Sequence, residues 1–452
     1  MAVKSVQRHE TAAPMANVSQ RLPRPERSSD LVDGWMIDAT IKGVPVGVGS
    51  LRLEDIGGLG LNLLAGDVPL PAAVIKRDVM LANSSWMKRF LALNRLEIAP
   101  HGKTTMSPQL FALQLQEGAW AITVATSQQL MVAKTFGVPR VIYANQPTGL
   151  AVIDACFAAI GGADGINLLV LADSVAGVEA LAAGALRAGQ RQTLGVLVEM
   201  GAQGGRTGAR SIGEGVAIAR AVAAAPGLAL QGFECFEGVL GTITEVDALL
   251  GDVLALAELC CAENLIGADG AVVLSAGGTA FFDRVGERFG GAQLGGRERI
   301  VVIRSGCYLT HDDIGYNAAY ERILAETTLA LPEGRLQAAM EVWASVQSRP
   351  ERNKALLTMG KRDVSYDAGM PVPLKWHSPG RHDSAQPMPR GHVVTALNDQ
   401  HGHMGVPGES PLAVGDMIGF GIGHPCTTFD KWQLIWIVDE DYTIVDAIRT
   451  FF

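Results

Sequence analysis

From Pro71 onward, short apolar runs alternate with stretches whose apolar residues recur at helical spacing. The runs Ala72–Lys76, Glu97–His101, Trp120–Thr126, Arg140–Asn145, Asn167–Ala172, Leu194–Glu199, Ala229–Phe236, Ala271–Ser275 and Ile300–Arg304 read as strands. Between them Val79–Leu96, Ser107–Gly118, Gln128–Phe136, Gly149–Ile160, Gly177–Ala188, Glu214–Ala225 and Glu245–Asn264 read as helices. Repeated β/α units of roughly 25–30 residues predict an α/β fold, a closed parallel (β/α)8 barrel of the TIM type over residues 71–315. An open doubly wound sheet is the alternative, but no dinucleotide fingerprint follows an early strand.

Beyond about Thr310 the texture changes to Pro, Gly, His and short β-like runs: Leu336–Gln347, His392–Leu397, Met417–Phe420, Gln433–Val438 and Tyr442–Ile448. Residues 316–452 are therefore expected to form a mostly β C-terminal domain. Residues 31–70 contain a β-like stretch, Leu31–Leu53, expected to pack with that domain. Residues 1–30 are polar and read as a flexible or loosely docked arm.

Composition narrows the partners. A net charge of −9 argues against nucleic acid or an anionic membrane surface. No apolar run approaches the ~20 residues that cross a bilayer, and the N-terminus lacks the apolar centre of a signal peptide. Six cysteines in 452 residues are too few for a disulfide scaffold, so a reduced, cytoplasmic setting is expected.

In a parallel barrel, reacting groups gather at the C-terminal ends of the strands. After the second predicted strand stands Pro100-His101-Gly102-Lys103, and a lysine at a barrel mouth suits Schiff-base chemistry. A solvated loop lysine gives the same spacing. After the sixth comes a glycine-rich turn with Arg206, a fixed donor fork. After the last two come Ser275, Gly277, Gly278 and Thr279, and then Gly306, Cys307 and Tyr308. Two glycine turns late in a barrel form a phosphate cup. A lysine for an aldehyde, an arginine for a ring oxygen and glycines for a phosphate together describe pyridoxal 5′-phosphate. Near the C-terminus, Gly423-His424-Pro425-Cys426 presents an imidazole and a thiol one residue apart, the two ligand types zinc prefers. His401 and His403 lie in the same region and suit a metal or a solvated loop; Asp312 and Asp313 read as a solvated turn.

Residues Pro100 to Pro108 resemble the cofactor-lysine motif of the D-threonine aldolase and eukaryotic-type D-serine dehydratase family. Gly102 fills the variable position, and Thr105 and Met106 replace its usual His and Lys. Arg206-Thr207-Gly208 is similar to the family's arginine turn, Ile303 to Tyr308 to its late phosphate turn, and Gly423 to Trp432 to its metal-binding segment. The resemblance implies an alanine-racemase-like (fold type III) barrel and covers about Ala72 to the end. It implies that Lys103 binds the cofactor covalently and Arg206 bonds its ring hydroxyl. Ser275, Gly277, Gly278, Thr279, Gly306 and Cys307 would cradle the phosphate; His101, read from its place in the turn, suits stacking on the cofactor or packing within the loop. His424 and Cys426 would hold a divalent metal.

The aldolase branch carries Asp where this chain has Cys426, which points to zinc and to the dehydratase branch. The implied activity is dehydration and deamination of D-β-hydroxy amino acids such as D-serine, giving a keto acid and ammonia. The alternative is retro-aldol cleavage to glycine and an aldehyde. A non-catalytic cofactor carrier is an alternative of another class, although such carriers lack a β domain. A racemase would leave the metal pair without a role. The implied partners are a small amino acid substrate and a second copy of the chain in a homodimer.

Overall fold

The computed structural model describes residues 21–267 and 270–452, so the first part of the expected arm, residues 1–20, lies outside the described residues. Strand β1 (Ala72–Lys76) runs into the helix Arg77–Asn94. Eight further strands follow: β2 (Glu97–Ile98), β3 (Ile122–Val124), β4 (Arg140–Tyr143), β5 (Asn167–Ala172), β6 (Leu194–Met200), β7 (Leu228–Cys235), β8 (Val272–Ala276) and β9 (Arg299–Ile303). They lie side by side in the order β2-β9-β8-β7-β6-β5-β4-β3. The two ends of this row meet where His101 bridges Thr123 in parallel and the Thr123 amide donates to the Pro100 carbonyl at 2.9 Å. The sheet thereby curls into a parallel barrel, the predicted fold class.

Alternation of side chains decides what fills the lumen. Ala99, Ala121, Ile142, Leu169, Leu171, Leu197, Val273 and Val302 form its own buried cluster. Leu168 and Val170, on the other face of the same strand, pack outward with the helices. Helix starts follow from short polar residues: Thr126, Ser174, Ser211 and Thr242 each accept the amide three residues on. At Thr242 the Glu245 side chain reaches back to complete a capping box.

Strand β1 has a different place from the one its position in the β/α series suggests. It pairs antiparallel with β10 (Met340–Glu351) and parallel with a strand near the C-terminus, Leu434–Val438. Period and composition specify a strand but not its partner, so the run before Arg77 looked like a barrel strand. It belongs instead to the β domain, and the helix Arg77–Asn94 carries the chain from one unit to the other. The rest of that domain comprises β11 (Lys354–Leu357), β12 (Val372–His377), β13 (Gln386–Pro387), β14 (Val393–Leu397), β15 (Gly402–Gly405), β16 (Met417–Gly421), β17 (Leu434–Val438) and β18 (Ile444–Arg449). Its main sheet runs β13-β12-β16-β10-β11-β15-β14, with β1, β17 and β18 continuing from β10.

Leu31–Leu53 is only marginally β: Met36–Ile37 pairs with Leu51–Arg52, and the rest is a one-turn helix and 3₁₀ turns. Residues 31–56 bury Val32, Ile37, Leu53 and Ile56 against Trp343, Trp436 and Ile444 of the β domain. Upstream, Leu22 is buried, and Arg24 bridges Asp33 and Asp446, so residues 21–30 are held down at those points.

Glu341 is the polar node of the β domain. Its buried carboxylate meets Lys76 Nζ at 3.1 Å from β1 and Lys375 Nζ at 3.0 Å from β12. It also accepts from Trp343 Nε1 and from the Tyr442 hydroxyl, each at 2.9 Å. Burial opposes its charge, but the two lysines hold its pKa below the usual carboxylate value. Removing one member of a buried ionic cluster strands the others. Glu341→Gln is expected to destabilise the fold by about 3 kcal/mol, measured as a lower denaturation midpoint with the cofactor absent; an unchanged midpoint would contradict the role given to this node.

Candidate active site at the barrel mouth

The lysine turn is built by tight packing. After β2 the chain makes a 3₁₀ turn over Gly102–Thr104. A Cβ on Gly102 would come within 2.8 Å of Ile122 and 3.0 Å of the Phe111 ring, so only glycine fits. The opposite wall is equally close. A Cβ on Gly306 would meet His101 Cβ and Thr104 Oγ1, each at 2.7 Å. Thr104 and Thr105 are buried, while Lys103 projects into open space at the mouth.

Two adjoining cavities of about 250 Å³ each occupy that space, with His101, Lys103, Phe236 and Arg304 lining both. One extends over the barrel toward Asn145, Arg206, Thr207 and Glu234. The other extends toward the β domain and is lined by Gly278, Thr279, Gly306, Cys307, Tyr316, His424 and Cys426. Most of the expected site residues therefore share one space, assembled within a single chain. Ser275 and Gly277 do not line it: the Ser275 hydroxyl donates to the Val302 carbonyl at 3.0 Å inside the barrel. The amides of Gly277 and Gly278 donate to the buried carboxylate of Glu237 at 3.1 and 2.8 Å. That turn already holds an internal anion, which leaves Thr279 and the Gly306 turn as the part of the cup facing the cavity. His403 bonds Asn398 on an outer hairpin, and neither His401 nor His403 lines either cavity.

Sequence reasoning passed over the ionic layer beneath the mouth. Glu199 and Glu234 are register partners at the C-terminal ends of β6 and β7. Arg304, just past β9, pairs with Glu234 and donates to the Cys235 carbonyl at 2.8 Å. Glu199 accepts from Thr207 at 2.7 Å and from Gln146. Burial pushes Glu234 up to about 7, opposed by Arg304 and reinforced by the Glu199 charge. His101 is held well below its ordinary pKa by burial, with Lys103, Arg304 and Arg206 adding to the effect. Arg206 lies 4.7 Å over the Phe236 ring.

Asp312 also departs from expectation. It is buried, and its carboxylate caps the helix Gly315–Glu326 by accepting from the amides of Ile314 at 2.8 Å and Tyr316 at 3.1 Å. It thereby sets Tyr316 on the cavity wall.

At the β-domain edge the helix Cys426–Phe429 faces the lysine turn, with Cys426 Sγ 3.3 Å from Thr104 Oγ1. His424 Nδ1 lies 2.6 Å from Asp367 Oδ2, which turns the other ring nitrogen to a further partner. A carboxylate behind a histidine is the usual support of a metal-binding imidazole. Contact with Cys307, and then His424, holds the Cys426 thiol well below its ordinary pKa despite burial. His424 is raised to about 9, chiefly by Cys426. Among the described residues no three His, Cys, Asp or Glu groups stand ready-made as a metal cluster. His424, Cys426 and Cys307 nevertheless line one cavity, with the two sulfurs 3.6 Å apart.

The walls fit a phosphorylated heteroaromatic aldehyde. Lys103 offers an amine and Arg206 a donor fork, while Thr279 and the Gly306 turn offer anion donors. Two buried polar atoms beside them, His101 Nδ1 and Glu234 Oε1, have no partner in the protein. His424 and Cys426 likewise fit a soft divalent cation.

Comparison with known proteins agrees with this architecture. Residues 339–438 match the family model described as a putative serine dehydratase domain. A 3-hydroxy-D-aspartate aldolase of Paracoccus denitrificans is 24% identical over 68% of this chain and 75% of its own length. A D-threonine aldolase of an Arthrobacter species is 22% identical over 82% of this chain and 90% of its own. Among solved structures, the D-threonine aldolase of Filomicrobium marinum superposes with a TM-score of 0.69 at 22% identity, covering 87% of this chain and 96% of that one. The D-threo-3-hydroxyaspartate dehydratase of Delftia sp. HT23 gives 0.65 at 21% identity, covering 86% and 99%. An alanine racemase of Clostridium difficile gives 0.59 at 12% identity, covering 84% and 99%, and shows the same fold.

Glu234 sets a pH dependence whose sign follows from its raised pKa. The folded protein keeps a proton that the unfolded chain releases near 4.5, so this contribution to stability is lost as pH rises from 4.5 to about 7. Glu234→Gln removes that slope. Thermal midpoints of the cofactor-free proteins should diverge across this range, the variant's profile being the flatter; parallel profiles would contradict the assignment.

Proposed function

The chain has the alanine-racemase-like (fold type III) architecture, and from that premise we propose that it is a pyridoxal 5′-phosphate- and divalent-metal-dependent lyase of D-β-hydroxy amino acids. Dehydration and deamination of a substrate such as D-serine is the reaction favoured. The observation that carries this reading is the convergence of Lys103 from the barrel with His424 and Cys426 from the β domain on one cavity. A carrier needs only the lysine; a lyase that expels a β-hydroxyl needs an electrophile beside it.

When bound, the cofactor supplies the electron sink that stabilises a carbanion at Cα. A metal at His424 and Cys426 supplies a Lewis acid for the β-hydroxyl. The protein's part begins at Lys103 Nζ, which takes the Cα proton and is placed for it by the glycine turn. Arg206 fixes the ring hydroxyl, and Phe236 fixes Arg206. His101, kept neutral by burial, provides a polar wall without adding to the positive charge of Arg206 and Arg304. Asp367 orients His424, and Tyr316 faces the same space from the helix capped by Asp312. The Cys at 426 supports zinc and supports dehydration, since thiolate is a softer ligand than carboxylate. The aldolases among the relatives support retro-aldol cleavage as the second reading.

Six free cysteines, two of them adjacent and unbonded, support a reduced cytoplasmic setting. No helix among the described residues is long and apolar enough to cross a membrane. A homodimer is part of the same proposal.

Product analysis separates the readings. Incubation with D-serine and D-threonine should release keto acid and ammonia, stop on chelation and resume with zinc. Lys103→Ala should lower the rate by at least about a thousandfold, as expected for loss of a group that is both base and cofactor anchor. Glycine as the main product would replace dehydration by aldol cleavage, and indifference to chelation would remove the metal from the account.

A further inference from the structure

Cys307 was expected in the phosphate turn, but its side chain points to the β domain. Its Sγ lies 3.6 Å from Cys426 Sγ, although the two residues are 119 positions apart. That distance is far beyond the ~2.05 Å of a disulfide. It is instead close to the spacing of two thiolates on one tetrahedral zinc. With Zn–S bonds of about 2.3 Å, a tetrahedral angle places the sulfurs about 3.8 Å apart.

We infer that Cys307 is a third protein ligand, so that a soft divalent cation is held by Cys307 of the barrel together with His424 and Cys426 of the β domain. The inference rests on the metal reading above and extends it to a ligand from the other unit. Three observations carry it. Cys307 is only 3% exposed, so its thiol has no water to turn to, and it meets a second sulfur instead. Hydroxyls that can support a thiolate adjoin the pair: Thr104 touches Cys426 at 3.3 Å, and Tyr316 lines the same cavity. His424 lines the same cavity with its orienting carboxylate already in place. These three donors become a shell when a cation draws them to one centre. A Cys₂His shell leaves the fourth tetrahedral position open, which is the arrangement of a catalytic rather than a structural zinc site. The metal would then clamp the β domain onto the barrel at the point where Lys103 works.

X-ray absorption at the zinc edge tests this on the wild-type holoprotein under reducing conditions. Two sulfur ligands are expected, at about 2.3 Å. One sulfur with nitrogen and oxygen neighbours would overturn the inference while leaving the His424–Cys426 metal intact. Failure of the protein to retain zinc at all would overturn both. As a second measurement, metal-stripped wild type, Cys307→Ser and Cys426→Ser are titrated with cobalt(II). The near-ultraviolet thiolate-to-cobalt band should fall by about half in Cys307→Ser, with cobalt binding weakened at least tenfold. A Cys307→Ser spectrum and affinity equal to wild type, alongside a loss in Cys426→Ser, would exclude Cys307 from the shell.

Discussion

The contact of Cys426 with Thr104 and Cys307 is the constraint on which the site depends. It is the place where the barrel and the β domain meet within hydrogen-bond range of the same lysine turn. Everything around it serves to keep it in register. Strand β1 lies in the β-domain sheet, yet the chain passes directly from it into the helix Arg77–Asn94 and the first barrel strand. Asn83, on that helix, bonds the carbonyls of Leu309 and Gln337 at 2.9 and 2.7 Å, pinning the chain where it leaves the barrel. Trp432 is held by the Asp363 carbonyl at 2.8 Å and covered by Lys42, which fixes the segment following Cys426.

Charge is distributed to suit an anionic ligand without leaving cations bare in the barrel. Arg304 is buried and needs Glu234; Glu234 in turn sits beside Glu199, whose oxygens are occupied by Thr207 and Gln146. Glu237 does the same for the amides of Gly277 and Gly278. Facing the cavity are Lys103, Arg206, the unpartnered Nδ1 of His101 and one unpartnered oxygen of Glu234. Unsatisfied buried polar atoms are costly, so the two that line this mouth fit a ligand that partners them.

Much of this was legible in the chain, for identifiable reasons. Apolar runs and capped amphipathic segments give the barrel, because burial imposes the period. Lys103, Arg206, His424 and Cys426 stand in turns after predicted elements, where side chains carry chemistry rather than packing. The partner of β1 was not legible, since a strand's own residues do not say which sheet it joins. Glu234 and Arg304 were hidden inside apolar runs, although a charged residue at the end of such a run is itself the clue. Asp312 looked like a solvated turn because adjacent acids usually are; its role as a helix cap depends on the two amides it accepts from. The Cys307–Cys426 pair spans 119 positions and emerges only from tertiary structure.

The central claim is that this mouth holds the cofactor on one particular amine. Borohydride reduction of the holoprotein, followed by peptide mapping, tests it most directly. A single reduced pyridoxyl group on Lys103 is expected. A label on any other lysine, or none, would contradict it.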